Sequence, residues 1–436
     1  MKTTLTATAA LCALLTASTL ARAQNADGHK TPAAAPAPAA TDAGNMNKLE
    51  DFKSTGAMNS IPLIPQDPQK AAEIEKTLSR IKLPPGFHIS LYAQVPDARM
   101  IAVGPQGVVT FVSTRKNRIY ALTDRSRSGH ATEVKEFAPT VEFKNPNGIC
   151  FSRDGFLYSV EQNRVLQFPA AEFFYESPDV AVTPIVKQGE LIPPSEESFN
   201  HSARACVIGP DNKLYITIGQ PYNVYAPDKY DMYYKAGLGS IIRMNQDGSD
   251  REIFAHGLRN SVGLDFAKDK SLWFTDNQVD GMGDDIPPGE INHATKPGEN
   301  FGFPWYGGGH VRTNEYKSQT PPADVVFPVV EETAHAADLG LLVYTGKMFP
   351  REYQGAIFSA QHGSWNRTVP VGARVMVTKV KDDGTAPEGS KPFAEGWLNS
   401  DGEYDGRPVA VAQLRDGSLL VSDDFAGAVY RITYSK

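Results

Sequence analysis

The sequence has few cysteines, no excess of positive charge and no long hydrophobic run. Its 436 residues include 3 Cys, and 43 Lys plus Arg stand against 50 Asp plus Glu, for a formal net charge of -7. This acidic balance excludes a nucleic-acid binder held by bulk positive charge. No apolar stretch beyond the first residues approaches the roughly 18 residues of a membrane-spanning helix. With 41% hydrophobic residues, the chain is predicted to bury a substantial core and to have no transmembrane span.

Several catalytic and nucleotide-binding motifs are also missing. No Gly-x-Gly-x-x-Gly follows a predicted strand, and there is no P-loop, no Gly-x-Ser-x-Gly and no His-Glu-x-x-His. These absences disfavour a Rossmann dehydrogenase, a P-loop enzyme and an α/β-hydrolase. The chemistry must therefore be sought in other clusters of polar residues.

The first 45 residues have the features of an export signal and a tether. Lys2, an apolar stretch at 9–15 and the small-x-small site that ends at Ala23 predict a signal peptide over residues 1–23, and hence a periplasmic or secreted protein. Residues 24–45 contain Ala, Pro and polar residues without a single aromatic. Such a segment cannot bury enough apolar surface to fold, so it is predicted to be a disordered tether.

A short extension and a large β domain are predicted to follow. Residues 46–82 form the extension, with one helix predicted at 69–81 because helix formers with apolar spacing precede Pro84, Pro85 and Gly86. Residues 83–436 are predicted to form an all-β, six-bladed β-propeller. A stack of hairpins in a large sandwich is the alternative.

The propeller prediction rests on a repeated hairpin pattern. Each copy has an apolar strand, a tight polar turn and a second strand, and most copies are followed by a further strand. Unequal spacing between copies is typical of propeller blades with loop insertions. The copies are VGPQGVVTFVS at 103, CFSRDGFLYSV at 150, VIGPDNKLYIT at 207, DFAKDKSLWFT at 265, the more divergent FPREYQGAIFSA at 349, and AQLRDGSLLVS at 412.

Two cysteines remain beyond the predicted signal peptide, Cys150 and Cys206. Export would permit a disulfide between them. Each precedes a turn in a strand-like segment, but their offsets from that turn differ by one residue. Since strand side chains alternate between faces, we expect the two thiols to point apart, which favours buried free thiols over a disulfide.

Two polar clusters precede the third and fourth hairpins. His201 lies just before an innermost strand, where a neutral imidazole is able to take a proton from a substrate hydroxyl. Arg259 and Asn260 together suit a carbonyl, a carboxylate or a developing oxyanion. A structural histidine, and an arginine that braces neighbouring blades, are the alternatives.

An acidic loop at 275–292 is the richest cluster. Its oxygen ligands, interleaved with Gly and Pro, suit a hard cation such as calcium, although the spacing is not that of an EF-hand. A solvated acidic loop is the alternative. The acidic residues are Asp276, Asp280, Asp284, Asp285 and Glu290.

Aromatic and cationic residues gather in the remaining loops. They suit the flanks of a planar ligand, although aromatic packing beneath long loops is equally common. These residues are Trp305, Tyr306, His335, His362, Trp365, Arg367 and Arg407.

Taken together, these motifs resemble the glucose/sorbosone dehydrogenase family, and most closely its sorbosone dehydrogenase branch. The resemblance covers roughly residues 83–434. It is carried by NHSARACVIGPDNKLYITIG, HGLRNSVGLDF, DNQVDGMGDDIPPGEIN, NFGFPWYGG and HGSWNR. Members are exported six-bladed propellers that use pyrroloquinoline quinone (PQQ) and calcium.

The resemblance implies a role for each matching residue. His201 would be the general base and Arg259 would lie beside the reactive quinone carbonyl. The other implied cofactor contacts are Asn260, Asn277, His335, His362, Arg367 and Arg407. The implied metal ligands are the main-chain carbonyls of Gln278 and Val279, with Asp284 and Asp285 beside them. The implied substrate contacts are Asn147, Asn200 and Trp305.

The predicted function follows from this resemblance. The protein is expected to oxidise an aldose, a sorbosone-like aldehyde or a related sugar by hydride transfer to PQQ, with calcium as Lewis acid and a separate cytochrome or quinone as electron acceptor. Asn200 replaces the acidic residue that precedes the base in the best-known sugar-oxidising branch. A calcium-dependent lactonase or hydrolase and a non-catalytic binding propeller are the rival hypotheses.

Overall fold

Six sheets, antiparallel except for one added parallel strand, follow one another along residues 61–436, the part of the chain that the computed structural model describes. Five sheets have four strands and one has five. Hairpin-connected neighbours pair in sequence order, as in propeller blades. The six-bladed β-propeller predicted from the repeated hairpins is therefore confirmed. The predicted signal peptide, the tether and residues 46–60 of the extension lie outside the described residues.

The strands are short. In chain order the first nine are β1 (Phe87–Gln94), β2 (Ile101–Val103), β3 (Val109–Ser113), β4 (Ile119–Thr123), β5 (Glu133–Phe137), β6 (Gly148–Phe151), β7 (Leu157–Val160), β8 (Val165–Phe168) and β9 (Thr183–Val186). The next eight are β10 (Cys206–Ile208), β11 (Leu214–Ile218), β12 (Ser240–Met244), β13 (Glu252–His256), β14 (Leu264–Phe266), β15 (Leu272–Asp276), β16 (Gly289–Ala294) and β17 (Glu299–Asn300). The last eight are β18 (Val330–Glu332), β19 (Asp338–Val343), β20 (Ile357–Gln361), β21 (Arg374–Thr378), β22 (Ser390–Glu395), β23 (Pro408–Gln413), β24 (Leu419–Asp423) and β25 (Ala428–Tyr434).

Each blade begins at its innermost strand. Blade 1 is β2 to β5, blade 2 is β6 to β9, and blade 3 is β10 to β13 with β17 added in parallel to β13. Blade 4 is β14, β15, β16 and β18, and blade 5 is β19 to β22. Blade 6 is β23, β24 and β25, and its outermost strand is β1. Five of the six predicted hairpins correspond to the first two strands of a blade. The divergent copy at 349 contains only the second strand of blade 5, because β19 ends at Val343.

The ring is closed by strands from opposite ends of the described chain. β1 pairs antiparallel with β25, with Phe87 opposite Tyr434 and Gln94 opposite Ala428. Blade 6 therefore needs residues that precede blade 1 in sequence, and this pairing holds the first and last blades together.

The second strand of most blades is buried over its whole length, as in β3, β11 and β15. Neighbouring blades cover both of its faces, which favours continuous apolar runs over the alternation expected from sequence. Its few hydroxyls bond across the gap between blades. Such bonds join Ser113 Oγ to the Asn147 carbonyl at 2.6 Å, Thr275 Oγ1 to the Leu339 carbonyl at 2.7 Å, and Ser422 Oγ to the Arg99 carbonyl at 2.5 Å.

A helix precedes the propeller, as predicted, but is shorter than expected. α1 spans Pro68–Leu78, and the Asp67 side chain accepts a hydrogen bond from the Gln69 amide at 2.8 Å. Proline at the first position and an aspartate cap are typical of a helix start. The predicted end at 81 is three residues too far, because Ser79 caps the helix.

Short helices also lie within the propeller loops. They are α2 (Ala171–Phe174), α3 (Tyr230–Ala236) and three 3-10 turns at Pro194–Glu196, Pro227–Lys229 and Arg351–Tyr353. Over residues 61–436, no helix is both long and apolar enough to cross a membrane.

Cys150 and Cys206 form a disulfide, with a Cα–Cα distance of 5.8 Å. The expectation of free thiols is therefore wrong. The cysteines lie on the innermost strands of blades 2 and 3, which pack face to face. Side chains at equivalent positions of adjacent blades point in the same direction around the ring and so do not face each other. Because strand side chains alternate between faces, an offset of one residue reverses one of the two, and the cysteines then face each other.

Candidate active site

A cleft of about 460 Å³ opens at one end of the propeller axis. Loops before the innermost strands and loops between the second and third strands form its walls. Such a volume is within the usual range for small-molecule sites. Among the residues singled out from sequence, the cleft is lined by Asn200, His201, Arg259, Asn260, Asn277, Gln278, Asp280, His335, His362 and Trp365.

His201 projects into this cleft from the loop before β10. Its Nδ1 lies 2.5 Å from the carbonyl oxygen of Gln220. A carbonyl only accepts, so Nδ1 carries the proton and Nε2 keeps a free lone pair. Burial, and then the charge of Arg259, lower the pKa of His201 to about 3. The imidazole is therefore neutral near pH 7 and able to accept a proton.

The backbone around His201 is held in an unusual conformation. Its φ of 51° lies in the left-handed region, which is uncommon for residues other than Gly and recurs at functional sites. The buried Arg204 donates to the His201 carbonyl at 2.9 Å. At Gly219, an added Cβ would lie 2.8 Å from the His201 Cβ, so only glycine lets the two loops approach this closely.

Arg259 lines the same cleft and is held in a dense network. Its guanidinium donates to the Asn223 carbonyl at 3.0 Å and to Asn223 Oδ1 at 2.8 Å, and it forms an ion pair with Asp280 at 2.7 Å. The buried Asp276 accepts from the backbone amides of Arg259 at 2.9 Å and of Asn260 at 2.7 Å. This carboxylate fixes the loop that carries both cleft residues.

The Asp276 carboxyl is close to a second buried acid. Burial raises the pKa of Asp276 to about 6. Glu290, paired with Asp276 across β15 and β16, has its pKa raised to about 8 by burial and then by Asp276. Glu290 accepts from the Gly309 amide at 2.7 Å and from Asn292 at 2.9 Å. Glu290 therefore links the acidic loop to the loop that contains Gly309.

The acidic loop is tied to a neighbouring loop of blade 5. Asp284 accepts from the Thr368 amide at 3.0 Å, and Asp285 pairs with Arg367 at 3.2 Å. These contacts direct both carboxylates toward residues 366–369. Along residues 61–436, no three His, Cys, Asp or Glu side chains come together as a metal site.

The main chain of the acidic loop offers oxygen ligands near the cleft. The carbonyl oxygens of Gln278 and Val279 accept no hydrogen bond from residues 61–436, whereas the Asn277 and Asp280 carbonyls accept from Arg259 and Asn223. Uncommitted carbonyls beside a carboxylate suit a hard cation. A calcium ion there would draw its remaining ligands from water or from the bound molecule.

Two further histidines line the cleft. Both nitrogens of His335 are used, because Nε2 lies 2.8 Å from the Gly283 carbonyl and Nδ1 lies 3.2 Å from Asn366. His335 therefore braces the acidic loop. His362 Nε2 lies 2.8 Å from Asp424.

Several predicted site residues lie away from the cleft. Asn147 is fully buried. Its Oδ1 accepts from Arg99 Nε at 3.0 Å, and its Nδ2 donates to the Arg204 carbonyl at 2.7 Å. Trp305 packs edge-on against Tyr230 and Tyr316. Of the three predicted substrate contacts, Asn200 lines the cleft and these two side chains do not.

The two predicted loop arginines, Arg367 and Arg407, are used within the protein. Arg367 donates to the acidic loop, and Arg407 donates to the His362 carbonyl at 2.9 Å while stacking on Tyr404. Both position loops that carry cleft residues.

Sequence reasoning missed two of the three arginines that line the cleft, Arg99 and Arg115. Arg99 forms an ion pair with Asp424 at 2.9 Å, while Arg115 pairs with no carboxylate of the described residues and lies over the Phe199 ring at 5.3 Å. Neither is part of a local motif, so no sequence signal marked them. Together with Arg259 they place three guanidinium groups in the cleft, two of them paired with Asp424 and Asp280.

Comparisons with known proteins agree with this architecture. Residues 184–366 match the family model described as Glucose / Sorbosone dehydrogenase. The chain is 37% identical over 246 residues to an uncharacterized protein of Borreliella burgdorferi. That match covers 56% of this chain and 63% of the relative, so the chain spans less than two thirds of the curated relative's length.

Solved structures share the propeller at low identity. An iodide structure of a carbohydrate-active enzyme from Trichoderma reesei has a TM-score of 0.68 at 18% identity and covers 82% of this chain and 98% of its own. The PQQ domain of pyranose dehydrogenase from Coprinopsis cinerea, in holo form, has a TM-score of 0.65 at 18% identity and covers 81% and 97%. The PQQ-bound aldose sugar dehydrogenase of Streptomyces coelicolor has a TM-score of 0.56 at 18% identity and covers 81% and 100%. At such identity these likenesses establish the fold.

Proposed function

We propose that this protein is a PQQ- and calcium-dependent dehydrogenase that oxidises an aldose, a sorbosone-like aldehyde or a related sugar. The observation that carries the proposal is the axial cleft, in which the free Nε2 of a neutral His201 shares one cavity with the buried cation Arg259. The family match over residues 184–366 and the sugar dehydrogenases among the structural relatives support it.

The donor set of the cleft fits a carboxylated quinone. Arg99, Arg115 and Arg259 supply positive charge, and Arg115 forms no ion pair with a carboxylate of the described residues. Guanidinium groups bind carboxylates in bidentate geometry. The carbonyls of Gln278 and Val279 would hold the calcium. PQQ, when bound, supplies a carbonyl carbon that accepts hydride.

The residues of the chain then divide the remaining tasks. His201 Nε2 accepts the proton of the substrate hydroxyl as hydride leaves the carbon that bears this hydroxyl. Arg259 stabilises negative charge that develops in the cleft during the transfer. Asp276 and Gly219 keep these two groups in place, and Asn200 lies beside the base at the cleft wall, within reach of a sugar.

The acceptor and the cellular location belong to the same proposal. Electrons would leave to a separate cytochrome or quinone. A periplasmic or secreted location is supported by the Cys150–Cys206 disulfide, because disulfides persist in oxidising compartments. The rival calcium-dependent hydrolase would use a metal-bound water and would be active without a quinone.

A spectroscopic titration tests the proposal. Purified protein receives PQQ with calcium, and the quinone absorbance is followed before and after a panel of sugars is added. We expect saturable binding, bleaching by at least one aldose or aldehyde, and loss of both on chelation, with recovery when calcium and PQQ return together. Turnover of a lactone without PQQ would instead favour the hydrolase.

Arg115→Gln provides a sharper version with a matched control. Loss of an unpaired cation that binds a carboxylate should weaken PQQ binding by roughly tenfold or more, about 1.5–3 kcal/mol for a charge-assisted hydrogen bond. Arg153→Gln removes an exposed arginine from a turn of blade 2 and should leave PQQ binding unchanged. Equal affinity in all three proteins would show that Arg115 does not contact the cofactor.

A further inference from the structure

His362 has a free ring nitrogen that none of the roles above uses. Its ring lines the cleft, and Nε2 lies 2.8 Å from Asp424 Oδ1. Burial alone would raise the pKa of Asp424, but the hydrogen bond from His362 and the charge of Arg99 hold it below its ordinary value. The carboxylate therefore accepts, Nε2 carries the proton, and the lone pair is on Nδ1. Nδ1 has no hydrogen-bond partner in residues 61–436.

The partner of His362 is itself rigidly held. Asp424 Oδ2 accepts from the buried Arg99 at 2.9 Å, so each oxygen of this carboxylate has one fixed partner. Arg99 in turn donates to Asn147 Oδ1 at 3.0 Å. This chain of contacts crosses from blade 6 to blades 1 and 2, and it fixes the orientation of the His362 ring.

The two cleft histidines with a free nitrogen differ in their partners. His201 donates to a neutral carbonyl, whereas His362 donates to a carboxylate. A carboxylate fixes the tautomer of an imidazole and stabilises the imidazolium that forms when the other nitrogen takes a proton. Burial lowers the pKa of His362, and the positive charges of Arg407 and Arg99 lower it further. Arg407 contacts the His362 carbonyl. The resting ring is therefore neutral.

We propose that His362, held by Asp424 and Arg99, is a second proton-accepting residue of the cleft with a task separate from that of His201. The inference rests on the proposed function. Sugar oxidation breaks one C–H and one O–H bond, the hydride carries both electrons to the quinone, and His201 takes the hydroxyl proton. When the reduced cofactor later gives two electrons to two equivalents of a one-electron acceptor, two protons must leave. One is the hydroxyl proton held by His201, which goes directly to water. The other reached the cofactor as hydride, and His362 Nδ1 forms an N–H bond with it and passes it to water.

Rapid mixing separates the two halves of the reaction. Holo-protein with bound PQQ is first reduced by sugar, and the reduced protein is then mixed with ferricyanide, a one-electron acceptor. His362→Gln should slow the second step by roughly 100-fold or more, the size expected for loss of a general base, while the first step changes by far less. His201→Gln should show the opposite pattern. His310→Gln, which alters an exposed histidine paired with Glu331, is the matched control.

Nitrogen NMR of the protein without cofactor gives a readout that does not depend on turnover. His362 should show a single Nε2–H tautomer, and Asp424→Asn should convert it to a mixture and slow the ferricyanide step.

Three results would overturn the inference. Equal slowing of sugar reduction in His362→Gln would place the residue on the substrate side, and unchanged rates in both steps would make it structural. A mixed tautomer in the parent protein would show that Asp424 does not orient the ring. Failure of the proposed function would appear earlier and separately, as a parent protein that binds no PQQ or is not reduced by any sugar.

Discussion

Removing the Cys150–Cys206 bond tests how strongly it joins blades 2 and 3. The cysteines are 56 residues apart, and closing a loop of that length restricts the unfolded chain enough to stabilise the fold by about 4 kcal/mol at 25 °C. In a propeller of this size, 4 kcal/mol corresponds to a fall in Tm of about 5 °C. The estimate is an upper value, because an unfolded chain with residual structure has less freedom to gain.

Thermal unfolding with and without a reducing agent gives the measurement. The parent should lose about 5 °C on reduction. A Cys150→Ala, Cys206→Ala double variant should begin at or below that lower Tm, since it also leaves small cavities of roughly 1 kcal/mol each, and should not respond to the reducing agent. A parent whose Tm is unchanged after verified reduction of the bond would refute the reasoning.

Three further predictions concern the base and its surroundings. His201→Gln should slow reduction of bound PQQ by sugar roughly 100- to 10,000-fold, as measured by rapid mixing, with PQQ affinity kept; a parental rate would remove His201 from catalysis. Because its folded pKa of about 3 lies below the unfolded value near 6.5, His201 should stay neutral in an NMR titration down to about pH 4. The unfolded chain then binds the proton first, so the stability that His201 contributes is complete above pH 6.5 and declines toward pH 3; a midpoint near 6.5 in the folded protein would contradict this. Gly219→Ala places a Cβ 2.8 Å from the His201 Cβ and 2.7 Å from Asn260 Oδ1, so kcat should fall and the NMR signals of His201 should shift; unchanged signals would show that the loops have room to adjust.

The blades could be predicted from sequence because short local patterns indicate their inner hairpins. A tight turn between two apolar runs, as around Gly155 or Gly417, defines the inner hairpin without reference to any other part of the chain. The closure of the ring by residues 87–94 could not be predicted in this way. Its partner strand is at 428–434, and pairing over that separation leaves no periodic pattern.

The residues of the candidate site were likewise predictable where a local motif marks them and not where a distant contact does. His201, Arg259 and Asn260 were found because each lies in a polar motif just before an innermost strand. Arg99 was missed because its significance comes from Asp424, 325 residues away in sequence, which only the closed ring brings within 2.9 Å. Asn147 was placed in the correct region, but its side chain is turned inward, a difference of orientation that residue type alone does not reveal.

The closing strand has a consequence for how mutations in this protein should be read. The cleft takes its walls from loops of several blades, so it exists only while the circle of blades is complete, and the pairing of β1 with β25 is what completes it. A substitution in the outermost strand of blade 6, far from any reacting atom, is therefore able to abolish activity by breaking the β1–β25 pairing that closes the ring. Such a variant would lose ligand affinity and Tm together, whereas a variant such as His201→Gln would lose only rate. Screens of this protein that record activity alone would confuse the two, and the outer strand of blade 6 is where that confusion would be greatest.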